Sequence, residues 1–273
     1  MPSEPETGAP GTELGPLAEL RDDPARAAIL TDVDGTLAPI VERPEQAAVP
    51  ARATELLARL GERYGLVGCV SGRQAREARR LVGLDSLAYA GNHGLELLLP
   101  GDEASRPDPS LEGREGDAAA FLADLDADSL AATGLRVEDK GPIQALHWRG
   151  AEDDRAAEAE AHEIAAAGGR AGLELHWGRK VLELRPAGGG GKDAAVAALL
   201  ATDGVTRAAY AGDDRTDLDA FRRLRELAAT GELETAVCVG IVSAEGPPEI
   251  AEEADVAVEG PEGWIELLAA LAA

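Results

Sequence analysis

The sequence predicts an α/β fold built on a parallel sheet, into which a smaller α+β module is inserted. Three observations carry that expectation. Short apolar runs alternate with helix-period segments toward both ends of the chain. The first two runs are joined as strand, helix and strand, a crossover that makes the strands parallel and the connection right-handed. Between Pro100 and Gly191 the pattern changes to helices mixed with closely spaced strands, bracketed by Pro- and Gly-rich segments.

Ala27 to Leu30 is too short for a helix and long enough for a buried strand, and Gly35 breaks the chain beyond it. Asp32 and Asp34 therefore fall at a strand's carboxyl end, the edge at which open α/β sheets bind ligands. One residue separates them, so in extended backbone both carboxylates leave on one face. Two such neighbours repel unless a cation or a shared proton resolves the conflict.

Thr54, Leu56, Leu57 and Leu60 have helical spacing, and Gly61 to Gly65 closes that helix before the strand Leu66 to Val70. Ser71-Gly72-Arg73 follows, opening the helix Gln74 to Val82. A hydroxyl and backbone N–H groups at a helix start cradle a phosphate, and the plainer reading is a Ser cap. A third strand, Leu87 to Ala90, runs into Gly91-Asn92-His93-Gly94, whose glycines permit close backbone approach and leave Asn92 and His93 at the sheet edge.

Pro100 to Ser110 reads as a linker. Helices are expected over Ala118 to Leu130 and Ala151 to Ala167, and strands over Leu135–Val137, Ile143–Trp148, Leu173–Trp177 and Val181–Leu184. Residues 106–186 are thus an expected cap domain, inserted into a core of residues 25–105 and 187–273. Residues 1–24 are expected to form a disordered tail.

Lys192 follows four glycines and opens the helix Asp193 to Leu200, a place that the helix dipole makes mildly unfavourable for a cation. The strand Arg207 to Ala211 ends in Gly212-Asp213-Asp214-Arg215-Thr216-Asp217. Three carboxylates so close call for a hard divalent cation, and the loop lacks the EF-hand pattern. The helix Leu218–Leu227, the strands Ala236–Val239 and Asp255–Val258 and the helix Trp264–Ala272 complete the sheet.

Composition excludes several classes of function. The formal charge is -25, which opposes any nucleic-acid role. No apolar run is long enough for a membrane span, and the N-terminal residues lack a signal-peptide pattern, so a cytosolic location is expected. Cys69 and Cys238 each lie in an apolar run and read as buried free thiols. The acid-rich surface suits solubility in concentrated salt. No heptad or long apolar stripe asks for a partner, and a monomer is expected. Of 26 basic residues only Lys140, Lys180 and Lys192 are lysines, which marks positions where a compact point charge is wanted.

The phrase Asp32-Val33-Asp34-Gly35-Thr36-Leu37 resembles the first motif of haloacid-dehalogenase-type (HAD) phosphatases. Ser71-Gly72-Arg73, Lys192 and Gly212-Asp213-Asp214-Arg215-Thr216-Asp217 resemble the second, third and fourth motifs in the same order. Asn92-His93-Gly94-Leu95-Glu96, Glu138-Asp139-Lys140-Gly141 and Glu183-Leu184-Arg185-Pro186 are similar to phrases of trehalose-6-phosphate phosphatases. The resemblance covers most of residues 27–273 and implies a Rossmann-like HAD core with a C2-type cap.

It also implies roles. Asp32 would be the nucleophile and Asp34 the acid and base, with Ser71, Gly72 and Lys192 on the phosphate. Mg²⁺ would be held by Asp32, the Asp34 backbone carbonyl, Asp213 and Asp214, with Asp217 in support, although sequence does not separate the last two roles. Arg73, Asn92, His93, Lys140, Lys180 and Glu183 would contact substrate, expected to be trehalose 6-phosphate. Another sugar phosphatase of the same fold, acting on sucrose phosphate or a glucosyl- or mannosyl-glycerate phosphate, would share the core motifs. A phospho-aspartate receiver needs no inserted cap, and a non-catalytic sensor would have lost one of the carboxylates that are all present here.

Overall fold

The computed structural model describes residues 14–41, 46–178, 180–202, 204–244 and 246–273, and the first thirteen residues of the expected tail lie outside these. The chain begins with α1 (Ala18–Asp22), β1 (Ala27–Thr31), α2 (Ala51–Gly61), β2 (Leu66–Val70) and α3 (Ala75–Val82). β3 (Ala88–Gly91), β4 (Glu96–Leu98) and β5 (Arg106–Pro107) follow. Then come α4 (Asp117–Ala123), α5 (Ala127–Ala132), β6 (Arg136–Lys140), β7 (Ile143–His147), α6 (Asp154–Arg170), β8 (Leu173–Gly178) and β9 (Val181–Pro186). The last part comprises α7 (Lys192–Leu200), β10 (Arg207–Gly212), α8 (Asp217–Thr230), β11 (Thr235–Val242), α9 (Glu249–Glu253), β12 (Val256–Glu259) and α10 (Gly260–Leu271).

One sheet has the order β12-β11-β10-β1-β2-β3-β4-β5. Its strands pair in parallel from β12 to β3, and only β4 and β5 at the edge run antiparallel. β1 is central and wholly buried because both of its faces are covered. Ala27 and Ile29 enter one apolar core, with Trp264 and Leu268 of α10, while Ala28 and Leu30 enter another, with Phe221 and Leu224 of α8. Two-sided burial explains why β1 reads as a continuous apolar run with no polar alternation. Each large aliphatic side chain so buried contributes roughly 1.5–3 kcal/mol.

Residues 14–24, expected to belong to the disordered tail, instead form helical turns, with Leu14, Leu17 and Leu20 buried in the first core. The three leucines recur at a helical spacing, and the Pro- and Glu-rich surroundings hid that stripe. The helix expected over Ala118 to Leu130 is two short helices, α4 and α5.

A separate antiparallel sheet has the order β6-β7-β9-β8. One face packs its Leu146, Leu182 and Leu184 against Ala157, Ala161 and Ile164 of α6 and Ala118 of α4. α6 is started by Asp153, whose carboxylate accepts from the Arg155 and Ala156 N–H groups at 3.0 Å. The opposite face carries Val181, Glu183 and Arg185, the alternate residues of β9. That face meets the large sheet: the Asn92 amide donates to the Lys140 carbonyl at 2.7 Å, and Leu95, Leu111 and Ile143 form a small apolar cluster. No described helix is long and apolar enough to cross a membrane.

Candidate active site

A cavity of about 990 Å³ opens at the carboxyl ends of the parallel strands, between the large sheet and the polar face of the small one. Its floor is the turn after β1. The Asp32 N–H donates to the Ala211 carbonyl at 2.8 Å, which fixes the carboxylate of Asp32 beside β10. Gly35 then turns the chain with a φ of 90°, and a Cβ there would lie 2.1 Å from Asp213 Oδ2, so only glycine fits. The Thr36 hydroxyl donates to Asp213 Oδ1 at 2.9 Å and holds that carboxylate from the other side.

Oxygens of Asp32, Asp213 and Asp217 all lie within 4.8 Å of one another, and the three residues are buried. Burial raises the Asp32 carboxyl, which the other aspartates push further up against the pull of Lys192. Burial and Asp217 likewise raise Asp213, to about 6. Such crowding is what a divalent cation relieves, since carboxylates near 4 Å repel by about 4 kcal/mol at an effective dielectric of ~20.

Lys192 supplies the protein's own counter-charge. Its side chain is 2% exposed, and its ammonium lies 2.7 Å from Asp217, 3.0 Å from Asp32 and 3.8 Å from Asp214. Burial alone would lower this lysine, but the three carboxylates overcome it and keep the ammonium charged. The glycine-rich lead-in does not loosen it: the Gly191 N–H is fixed to the His93 carbonyl at 2.6 Å.

Asp217 and Asp214 differ in what they hold. Asp217 accepts from Lys192, from the Tyr210 hydroxyl at 2.5 Å and from the Asp213 and Asp214 N–H groups at 3.0 Å, so its oxygens are spent on the scaffold. Asp214 Oδ1 accepts from the backbone and hydroxyl of Thr216 at the start of α8, leaving the half-exposed group over the cavity. Burial would raise Asp214, and Lys192 with these hydrogen bonds lowers it.

Ser71 is buried at the end of β2, and its oxygen accepts from the Arg73 N–H at 3.1 Å. Gly72 is required by His93, whose ring atoms would meet an added Cβ at 2.7 Å. Burial, Arg185 and Lys192 lower His93 to about 3, so a neutral ring lines the cavity, with Nδ1 buried and unpartnered. Arg73 reaches Asp34 and Glu77.

From the small sheet, Arg136, Glu138 and Lys140 of β6, His147 of β7 and Val181 of β9 face the cavity. Glu138 lies 2.7 Å from His147. Glu183 accepts from Lys140 at 3.0 Å and from Arg185 at 2.6 Å. Glu138, His147 and Arg149 were missed from the sequence, although residues 136, 138 and 140 alternate onto one strand face.

Three expected substrate contacts do not line the cavity: Glu183 is taken up by Lys140 and Arg185, and the other two lie elsewhere. Asn92 is fully buried, and its amide bridges Glu96 and the Lys140 carbonyl away from the cavity wall. Lys180 precedes β9, out of phase with Glu183, and its ammonium pairs with Asp154 on the helix-covered side of the small sheet. A turn residue's direction follows from local backbone, here a φ of 60°, which periodicity does not reveal.

A family model described as trehalose-phosphatase matches residues 30–259. The trehalose-phosphate phosphatase of Mycobacterium avium is 35% identical over 209 residues, spanning 72% of this chain and 51% of that protein. That of Mycobacterium marinum is 37% identical over 207 residues, with the same two coverages of 72% and 51%. The chain thus spans about half the length of these curated relatives. Among solved structures, the C-terminal domain of a Candida albicans trehalose-6-phosphate phosphatase has a TM-score of 0.68 at 20% identity, covering 98% of this chain and 99% of that one. An Aspergillus fumigatus trehalose-6-phosphate phosphatase has a TM-score of 0.64 at 22% identity, covering 97% and 99%. Both structures share the fold.

Proposed function

The chain belongs to the trehalose-phosphatase family, and from that premise we propose that it hydrolyses trehalose 6-phosphate to trehalose and phosphate, the last step of trehalose biosynthesis. The observation that carries this reading is the buried Lys192 ammonium shared by Asp32 and Asp217 at the floor of a cavity whose roof is polar.

In this reading an Asp32 oxygen attacks phosphorus, and the bond to the sugar oxygen breaks as the aspartyl-phosphate forms. The departing sugar oxygen takes a proton from the Asp34 carboxyl. Asp34 then removes a proton from water, whose oxygen attacks the phosphorus and frees Asp32. Lys192 and the Ser71 hydroxyl bind phosphoryl oxygens. The donor set fits Mg²⁺: Asp32 and Asp213 are all-oxygen ligands at one site, the Asp34 backbone carbonyl can join them, and Asp217 supports them from behind. When bound, the ion neutralises charge on the phosphoryl group.

Lys140, held by Glu183 at 3.0 Å, is suited with Glu138 and His147 to sugar hydroxyls, and movement of the cap would exclude water. Phosphate release from trehalose 6-phosphate, sucrose phosphate and glucosyl-glycerate phosphate, with Mg²⁺ and with chelator, tests the proposal. Preference for trehalose 6-phosphate that vanishes in Asp32→Asn is expected. Equal turnover of all three sugars would leave the substrate assignment without support, and activity surviving in Asp32→Asn would overturn the nucleophile.

A further inference from the structure

The helix-covered side of the small sheet holds a second cavity, of about 360 Å³, lined by Trp148, Asp154, Glu158, His162, Trp177 and Lys180. It lies on the reverse of the face that looks into the large cavity. Trp177 pairs in register with Leu182 of β9, whereas the alternating Val181 and Glu183 face the other way. Asp154, Glu158 and His162 recur at four-residue intervals along α6 and so share one helix face.

We propose that this cavity binds a neutral saccharide. The chain has three tryptophans, and two of them converge here. Trp264 is fully buried, whereas Trp177 is left 44% exposed. Its indole is braced: the His162 ring lies 4.3 Å away at 32°, and the Trp148 ring meets it edge-on at 6.2 Å. A held aromatic plate beside polar side chains matches a sugar ring, which offers an apolar C–H face with hydroxyls around its edge.

The rim supplies the hydroxyl partners. Asp154 and Glu158 accept, and Lys180 donates, its ammonium set over the cavity by a left-handed turn and by its pair with Asp154. That turn is a conformation that residues other than glycine rarely adopt. Among the described lining residues two carboxylates face one ammonium, a balance that favours an uncharged sugar over a phosphorylated one. The volume is near the lower limit of the ~300–1,000 Å³ usual for small-molecule sites and suits a mono- or disaccharide. The inference is independent of the reaction proposed at the large cavity.

The full chain and its Trp177→Ala and Glu158→Gln variants are titrated with trehalose, maltose and glucose, by calorimetry and tryptophan fluorescence. Glucose 6-phosphate serves as the charged comparison. Saturable binding of at least one neutral sugar is expected, with a Kd on the order of 1 mM. Trp177→Ala and Glu158→Gln should each weaken it by about tenfold. Glucose 6-phosphate should bind about tenfold more weakly than glucose. Absence of binding by all three sugars overturns the proposal. So does binding that keeps its full affinity in both Trp177→Ala and Glu158→Gln, because that result locates the sugar elsewhere.

Discussion

Arg73 lays its guanidinium fork across both oxygens of Asp34, with Nε 2.7 Å from Oδ2 and Nη2 2.8 Å from Oδ1. A third donor, Nη1, is held by Glu77 one helical turn along α3 at 2.5 Å. A carboxylate that accepts such a planar fork on both oxygens is fixed in direction. In the proposed reaction Asp34 gives a proton to the leaving group and later takes one from water, and both oxygens are engaged by the fork, so one arm must let go. The pair therefore sits between the two halves of the proposed reaction.

Replacing Arg73 by lysine tests the importance of that fork. A lysine keeps the charge but offers no planar bidentate contact, so Asp34 loses its fixed direction. Misplacement of a catalytic group by about 1 Å costs on the order of 10²-fold, and Arg73→Lys should lower kcat/KM by about 10- to 100-fold. Steady-state phosphate release measures this. Activity within about twofold of the parent would show that the orientation of Asp34 does not depend on the fork.

Lys192 should matter to stability as well as to turnover. Its removal leaves Asp32 and Asp217 as buried carboxylates without their cation. Breaking a buried pair in this way costs about 3–5 kcal/mol, which for a chain of this size lowers Tm by roughly 6–20 °C. Lys192→Met should show that fall in a thermal melt, and millimolar Mg²⁺ should restore part of it by binding the folded form alone. A variant as stable as the parent without metal would mean that the aspartates are relieved in some other way.

The architecture was legible because its signals are local. β1 is apolar throughout as a consequence of burial on both faces, and Asp32, Ser71, Lys192 and Asp213 each stand where an element ends and a glycine or a helix start marks the turn. The cap was harder to read because strand faces matter there. Lys180 lies in the turn before β9, where a local φ of 60° sends its side chain away from the face of Glu183, whereas Glu138 shares the face of Lys140 and was passed over. The Arg73 fork on Asp34 spans 39 positions in sequence, and no periodicity foretells it. Leu14, Leu17 and Leu20 were lost among prolines and acids, although their spacing was there to be read.

Gly35 tests the geometry of the acidic cluster with one methyl group. A side chain at this position meets two penalties, a backbone φ of 90° and a Cβ lying 2.1 Å from Asp213 Oδ2. The carboxylate must move, and with it the oxygen that Thr36 holds at 2.9 Å. Gly35→Ala should fold with reduced stability, by about 1–3 kcal/mol, and should need at least about tenfold more Mg²⁺ for half-maximal activity. A metal titration of activity measures the second effect. An unchanged midpoint would remove Asp213 from the ligand set.

The last prediction concerns Glu183 and pH. Burial alone would raise its carboxyl, but Lys140 and Arg185 together overcome burial and hold it at about 2, below the ordinary 4.5. A carboxylate lowered in the folded state adds stability that is complete above its unfolded value and is lost as pH falls through its folded value. The contribution is therefore full above 4.5 and disappears between 4.5 and about 2. That gap amounts to roughly 3 kcal/mol. Glu183→Gln removes the charge and leaves Lys140 and Arg185 facing each other, so the variant should melt well below the parent near neutral pH. Acid protonates the parent's carboxyl and erases the difference, so the two melting curves should converge as pH approaches about 2. Thermal melts of both proteins across that range decide the matter, and a separation that persists unchanged into acid would mean that Glu183 acts through packing and not through its charge.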